Sequence, residues 1–384
     1  MGLSLLNNIY KCYILSESND LQLIYGGFMN NLFIFVCFCF MWLMIFGVIL
    51  YYVGLVNHRY IHHTLILGLV TIISGTLCWL FVGYSLSFFG NIQYSIFYSP
   101  LASSEIVSIL IQLLFCLYAV VMIIGSVLER GNWKYIVLFV PLWIVFVYAP
   151  ICFSLWGHGN WLGKMGVLDY SGGLVVHTTA GIGSLVLAIT SPIRLKNSFI
   201  FKSQEMIAFV GMLFITLGWF GFNMAPSGKI GEEAIQVWLN TLISILGGSI
   251  SWTFTQWILI KKVSIYSIMN GIIGGLVGST CSVGYVSPAI SLLISVIVCT
   301  LCPIVIHIMH LRIANFDDAA DSFGMNAVGG IAGSILTGVM AEKGDFFLQL
   351  FGTFLISIWS LSLSLLIHYL LKKIVNDCDS QCIR

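Results

Sequence analysis

Eleven continuous apolar runs, each long enough to cross a bilayer, constrain this chain more than any motif in it. Their approximate limits are 31–54, 64–89, 104–128, 135–156, 172–191, 205–224, 234–260, 267–286, 288–310, 322–341 and 347–371. A helix rises about 1.5 Å per residue, so about 20 apolar residues match a hydrocarbon core of about 30 Å. A transmembrane barrel would show alternating strands, and these runs do not alternate. Charged residues make up 8% of 384 residues and hydrophobic ones 59%. A water-soluble domain carries about a quarter charged residues, so this chain is short of the charge a water-facing surface needs. The class is an all-α polytopic membrane protein with eleven transmembrane helices.

Lys and Arg fix the expected orientation. With the N-terminus outside, the inner loops hold Arg59, Arg130, Lys134, Arg194, Lys196, Lys202, Lys261, Lys262 and Arg312, and the tail adds Lys372, Lys373 and Arg384. The outer side keeps only Lys11, Lys164, Lys229 and Lys343. That asymmetry follows the positive-inside rule, and an odd number of spans agrees with termini on opposite sides. The expected organisation is an extracytoplasmic segment 1–30, a membrane domain 31–371 and a short cytoplasmic tail 372–384. The membrane domain divides into halves 31–191 and 205–341 plus a last helix 347–371. The first thirty residues are too polar to read as a signal peptide.

Several function classes drop out. Net charge is +1, which implies no nucleic-acid partner. No Walker A loop, Arg ladder or TVGYG-like filter is present. No nucleophile–base pair is identifiable, so the chain does not read as an enzyme, and no cofactor is expected. Of eleven cysteines, Cys37, Cys39, Cys78, Cys116, Cys152 and Cys299 sit in apolar runs as small hydrophobes. Cys378 and Cys382 pair by spacing but lack the four ligands of a zinc site. His307 and His310 also lack further ligands and read as interfacial, so no metal site is expected. His58, His62 and His63 read as part of a polar, partly basic loop. Small-xxx-small pairs such as Gly247/Ser251, Gly271/Gly275 and Gly329/Gly333 read as helix-packing faces.

Two segments stand apart. Leu168–Leu185 reads LDYSGGLVVHTTAGIGSL, and Asp321–Leu336 reads DSFGMNAVGGIAGSIL. Each opens on an acid, Asp169 or Asp321, and continues in small residues. Aligning His177 with Asn326 also aligns Gly181-Ile182 with Gly330-Ile331, although the two acids then sit at different offsets. The segments fall in spans five and ten, so spans one to five and six to ten form halves of opposite orientation. Inverted repeats of this kind place a substrate path at their interface near mid-membrane.

Two roles are open to Asp169: a helix N-cap alone, or a cap that also offers negative potential to an arriving cation. His177 lies eight residues further, about 12 Å along a helix and inside the hydrocarbon. A buried histidine in a soluble core is usually a satisfied side chain, but an ionisable group inside a membrane span points to function. A neutral imidazole both donates and accepts, which suits a small polar molecule or a proton.

Several stretches together resemble the ammonium transporter (Amt/MEP/Rh) family. The LDYSGGLVVHTTAGIGSL segment is similar to the family signature. Gly218–Asn223 matches its GWFGFN motif, and Gly284–Pro288 looks like its GYVSP turn. DDAADSFG (Asp317–Gly324) followed by VGGIAGSILTG looks like its tenth-span motif. Gly83-Tyr84-Ser85-Leu86 and Glu129-Arg130 fit as well, and the matches are collinear from about residue 47 to 345. The resemblance implies eleven helices in an inverted five-plus-five repeat, a homotrimer with one pore per subunit, and a cell (plasma or inner) membrane location. It implies ammonium as substrate. Trp156 and Phe115 would form an outer aromatic recruitment site together with Asp169. Phe115 and Phe222 would be stacked gate rings, and His177 the first pore histidine.

Two departures matter. The family's usual second pore histidine is Asn326 here, within FGMN, and asparagine cannot take up a proton at accessible pH. A serine that often follows GFN in the bacterial branch falls on Pro226, with Ser227 next to it. The short tail argues against regulation by a PII-type signalling protein. The reading is an ammonium transporter or channel, conducting ammonia with or without the proton past His177 and Asn326. The alternative is an ammonium sensor, or poor conductor, acting through a separate partner. A pore for uncharged gas is a third reading, and the retained Trp156 and Asp169 argue against it.

Overall fold

The computed structural model describes the backbone of residues 2–93, 102–194, 202–313 and 316–382, and side chains within those stretches from 29 to 375. The side chains of Lys11, Cys378 and Cys382, and the whole of Lys196 and Arg384, lie outside the described residues.

Among the described residues, ten helices are long and apolar enough to span a membrane. They are α1 (Met29–Leu55, the apolar part of a helix running Gly2–Leu55), α2 (His58–Phe89), α3 (Ser103–Val127), α4 (Trp133–Leu155) and α5 (Gly173–Thr190). The second set comprises α6 (Lys202–Ser227), α7 (Glu232–Ile260), α8 (Ile265–Ser279), α9 (Pro288–Arg312), α10 (Phe323–Met340) and α11 (Phe346–Val375), of which α8 is the exception. The expected eighth span, 267–286, is a helix of only 15 residues, about 22 Å at helical rise. Its missing part turns back instead of continuing. There the carbonyls of Cys281 and Thr280 accept the backbone N–H of Tyr170 and Ser171. That irregular backbone is tolerable at membrane depth because it is buried in protein and its groups are paired.

Local sequence starts the helices where expected. Asn132 caps α4 by accepting from Lys134 N–H, Ser264 caps α8 by accepting from Ser267 N–H, and Pro288 occupies the first turn of α9. The Gly271/Gly275 face serves packing as anticipated. A Cβ at Gly275 would come within 2.1 Å of the Ser244 carbonyl of α7, so only glycine permits that approach.

The two halves meet in two places. Opening helices α1 and α6 lie side by side along their length, and closing helices α5 and α10 cross at the centre. Helix α5 starts beside Trp156, whose indole donates to the Asp169 carbonyl. Helix α10 starts at the other end, where Ala319 N–H donates to the Ser126 carbonyl at the foot of α3. The fold is therefore built so that α5 and α10 enter from opposite ends and meet at mid-depth.

Candidate functional site

The first turn of α5 is not an ordinary helical turn. Residues Gly173–Thr178 are wound as a π-helix, entered through Gly172 at φ +99°. Such wide turns free backbone groups and recur at functional sites. Asp169 stabilises the turn: its Oδ1 accepts from Gly172 N–H at 3.1 Å, and Oδ2 from Leu174 and Val175 N–H at 3.0 and 2.9 Å. The carboxylate is buried and both its oxygens serve the helix end. Of the two roles open to it, the cap is realised.

Helix α10 repeats the device with a different acid from Asp321, which is paired with Asp169 only because each opens its segment. Residues Phe323–Val328 also form a π-turn. Asp318 Oδ2 accepts from Phe323 N–H at 2.7 Å, the same five-residue reach as Asp169 to Leu174. Asp169 precedes His177 and Asp318 precedes Asn326 by the same interval. Asp321, paired with Asp169 by the sequence reading, adopts a left-handed φ of 50° and turns to His310, whose Nε2 lies 2.9 Å from its Oδ1. Asp318 is less well served than Asp169. Its Oδ1 is buried without a partner, and burial, then the neighbouring Asp321, push its carboxyl up to about 7. Among the described residues there is no cluster that could hold a metal ion.

The crossing relies on two glycines, each four residues beyond His177 or Asn326. A Cβ on Gly181 would come 2.0 Å from Ala327 N, and one on Gly330 would come 2.5 Å from the Gly173 carbonyl. Each helix thus rests its glycine on the π-turn of the other, and the aligned Gly181/Gly330 pair marks a structural correspondence. The close approach brings His177 and Asn326 together, with His177 Nδ1 at 3.0 Å from Asn326 Oδ1.

That contact fixes the state of the imidazole. Asn326 Nδ2 donates to the Ser322 carbonyl at 3.0 Å and to Ser322 Oγ at 3.3 Å. Its amide is thereby oriented with Oδ1 towards the histidine, and a carbonyl oxygen only accepts. The hydrogen-bond network therefore assigns the proton to Nδ1. Nε2 is left as an acceptor, buried and without a partner. Ser322 is itself anchored, donating to the Met122 carbonyl at 2.8 Å and lying 2.9 Å from Ser184 Oγ.

Aromatic rings enclose the imidazole. Trp219 lies parallel to it at 5.3 Å, Tyr118 meets it edge-on at 5.7 Å, and Phe222 sits at 6.1 Å. Above them Phe115 and Phe222 touch at 4.4 Å between ring centres, and Trp156 packs on Phe115 at 5.5 Å. Phe115 is 1% exposed and Phe222 fully buried, so the rings close the route from the Trp156 mouth to His177. Below Asn326 lies a small cavity of about 30 Å³ bounded by Tyr51, Tyr52, Tyr118 and Ser322. Ser227, next to Pro226, is turned away, donating to the carbonyls of Met224 and Lys229.

Of the six residues singled out in the sequence, Trp156, Phe115, Phe222, His177 and Asn326 follow one another in contact, and Asp169 braces the α5 turn beside them. Sequence reasoning left Tyr118, Trp219, Ser322 and Asp318 unassigned. Ser322 was findable from its i, i+4 spacing to Asn326, and Trp219 from its place in GWFGFN one turn before Phe222. Tyr118 carries no such signal.

Known proteins share this arrangement's sequence and shape. The profile of the Ammonium Transporter Family matches residues 32–379. An ammonium transporter of Bacillus subtilis (strain 168) is 30% identical over 326 residues, covering 81% of this chain and 80% of its own. An ammonium transporter of Aquifex aeolicus (strain VF5) is 33% identical over 310 residues, covering 77% and 73%. Among solved structures, one titled "Sensor Amt Protein" superposes with a TM-score of 0.83 at 22% identity, covering 91% of this chain and 94% of that one.

Proposed function

The chain belongs to the ammonium transporter family, and from that premise we propose that it is an ammonium transporter or channel whose pore holds one imidazole instead of two. The observation that carries this reading is the buried His177–Asn326 contact at the α5–α10 crossing, beneath the closed Phe115–Phe222 rings.

Ammonium is recruited at the mouth by the faces of Trp156 and Phe115, which attract a cation but gain nothing from a neutral gas. Asp169 acts there through its buried charge and by anchoring the Trp156 indole on its carbonyl, not by direct contact. Phe115 and Phe222, tilted by 43° instead of stacked, exclude water, so a hydrated cation meets a low-dielectric barrier that its neutral form does not. Ammonium gives up its proton to water on the outer side of this barrier, so that ammonia enters and the proton stays behind as hydronium. Ammonia passing the rings donates an N–H to His177 Nε2, a buried acceptor with no partner in the protein. Asn326 holds the tautomer that makes this acceptor, and it takes up no proton itself. The protein works as a homotrimer in the plasma or inner membrane, with the Trp156 mouth outside and the Arg130 end in the cytoplasm.

Uptake of methylammonium by transport-deficient cells tests the reading. His177→Ala is expected to cut uptake by at least about tenfold, since losing one buried acceptor removes roughly 1.4 kcal/mol or more. Uptake equal to wild type at equal surface expression would sink it. The second reading, an ammonium sensor working through a partner, rests on Asn326 alone. Ammonium binding without flux in proteoliposomes would favour it.

A further inference from the structure

Helix α3 sets three side chains along the passage: Phe115 at the rings, Tyr118 beside His177, and Met122 at the cavity below Asn326. Tyr118 alone among the three carries a hydroxyl. Its ring meets Trp219 at 5.3 Å, Phe222 at 5.4 Å and His177 at 5.7 Å between centres. The residue is 2% exposed, yet among the described residues nothing hydrogen-bonds to its hydroxyl. Tyr118 also lines the cavity of about 30 Å³, and its hydroxyl is within electrostatic reach of Tyr52 of α1, which lines the same cavity.

A buried phenol hydroxyl usually finds a partner, and leaving one unmet is destabilising. Phenylalanine would keep every ring contact without that cost. The other polar groups around the cavity are already committed. Asn326 Nδ2 donates to the carbonyl and hydroxyl oxygens of Ser322, and Asn326 Oδ1 takes the His177 Nδ1–H. Tyr51 donates to Asn270 Oδ1, and both Tyr52 and Ser322 donate to the Met122 carbonyl. Among the described residues, Tyr118 is the cavity-lining hydroxyl whose proton is uncommitted.

His177 Nε2 is an unmet acceptor and Tyr118 Oη an unmet donor. A molecule that satisfies both must itself donate and accept. It must also fit a space of about 30 Å³, close to the share of one molecule in liquid water. Ammonia, with three N–H groups and one lone pair, meets these conditions.

We propose that Tyr118 is a specificity-determining residue of the pore, its O–H donating to the lone pair of ammonia as ammonia moves from the rings to the cavity below Asn326. This contact rests on the transport reading and adds a second filter to it. His177 Nε2 takes a molecule with a proton to donate, and Tyr118 takes one with a lone pair. Ammonium has four N–H groups and no lone pair, so it satisfies the first and not the second. The two residues together favour the neutral form.

The full chain in proteoliposomes with a trapped pH dye tests this under an inward ammonium chloride gradient, wild type against Tyr118→Phe. Ammonia entry is read as internal alkalinisation faster than in protein-free vesicles. The rate is expected to fall about two- to tenfold in Tyr118→Phe, the effect of one hydrogen bond. The melting temperature of Tyr118→Phe in detergent is expected to equal or exceed that of wild type, because no group of the protein loses a partner. Equal rates in the two proteins overturn the contact. A lowered melting temperature overturns it as well, since the hydroxyl would then serve the fold. No protein-dependent alkalinisation in wild type overturns the transport reading itself, and the contact with it.

Discussion

The starts of α5 and α10 are built to one plan and furnished differently. Each has an acid eight residues before a pore residue, a π-turn, and a glycine four residues after it that rests on the opposite turn. Asp169, however, receives three backbone N–H groups and Asp318 one. At the crossing the α5 half carries a titratable histidine and the α10 half carries an amide. The difference teaches that backbone architecture and proton chemistry are separable in this fold. The crossing needs small residues and capped turns, and it does not need a second imidazole.

The largest expected effect lies in the caps. Asp169→Ala leaves three buried N–H groups unmet, at about 1 kcal/mol or more each, so a loss of at least about 3 kcal/mol is expected. Asp318→Ala removes one acceptor and should cost about 1 kcal/mol. Thermal unfolding in detergent checks the order, and equal losses would break the comparison. Burial raises both acids, Asp169 to about 6 and Asp318 to about 7, so each adds a pH dependence of the same sign. Asp318 is raised in the folded protein to about 7, above its unfolded value, so the folded state holds the extra proton. That contribution is complete at low pH and is lost as pH rises towards and through 7. Asp318→Asn should therefore gain stability relative to wild type between pH 5 and pH 8. A difference in melting temperature that stays constant over that range would contradict the assignment.

The smallest effect concerns the amide itself. Ser322→Ala removes one of the two acceptors that hold Asn326 Nδ2 and also the hydroxyl that donates to the Met122 carbonyl. About 1 kcal/mol of orientation is at stake, which should lower methylammonium uptake about two- to fivefold without abolishing it. A complete loss of uptake would mean that Ser322 does more than position the amide.

Much of this was legible before the structure. Apolar run length located the spans to within a few residues, because the bilayer imposes length directly. His177, Asn326 and the Gly181/Gly330 register followed from their placement in two similar apolar segments, and the contact of Phe115 with Phe222 from family resemblance. What stayed hidden depended on register and on tertiary contact. Asp317, Asp318 and Asp321 look alike in a linear reading, and only the π-turn decides which one reaches Phe323 N–H. The eighth span reads as 20 apolar residues, yet its end turns back because Cys281 and Thr280 are needed as acceptors for the α5 entry. Tyr118 comes to His177 from α3, a separation in sequence that no local pattern announces.

Solid-supported-membrane electrophysiology with ammonium pulses, paired with a flux measurement on the same proteoliposomes, tests the single-imidazole pore most directly. Wild type is compared with Asn326→His, which restores a titratable group 3.0 Å from His177 Nδ1. The expected result is ammonium flux in both, with more charge moved per ammonium in Asn326→His than in wild type. Identical charge-to-flux ratios in the two proteins would contradict the claim that Asn326 sets how the proton is handled.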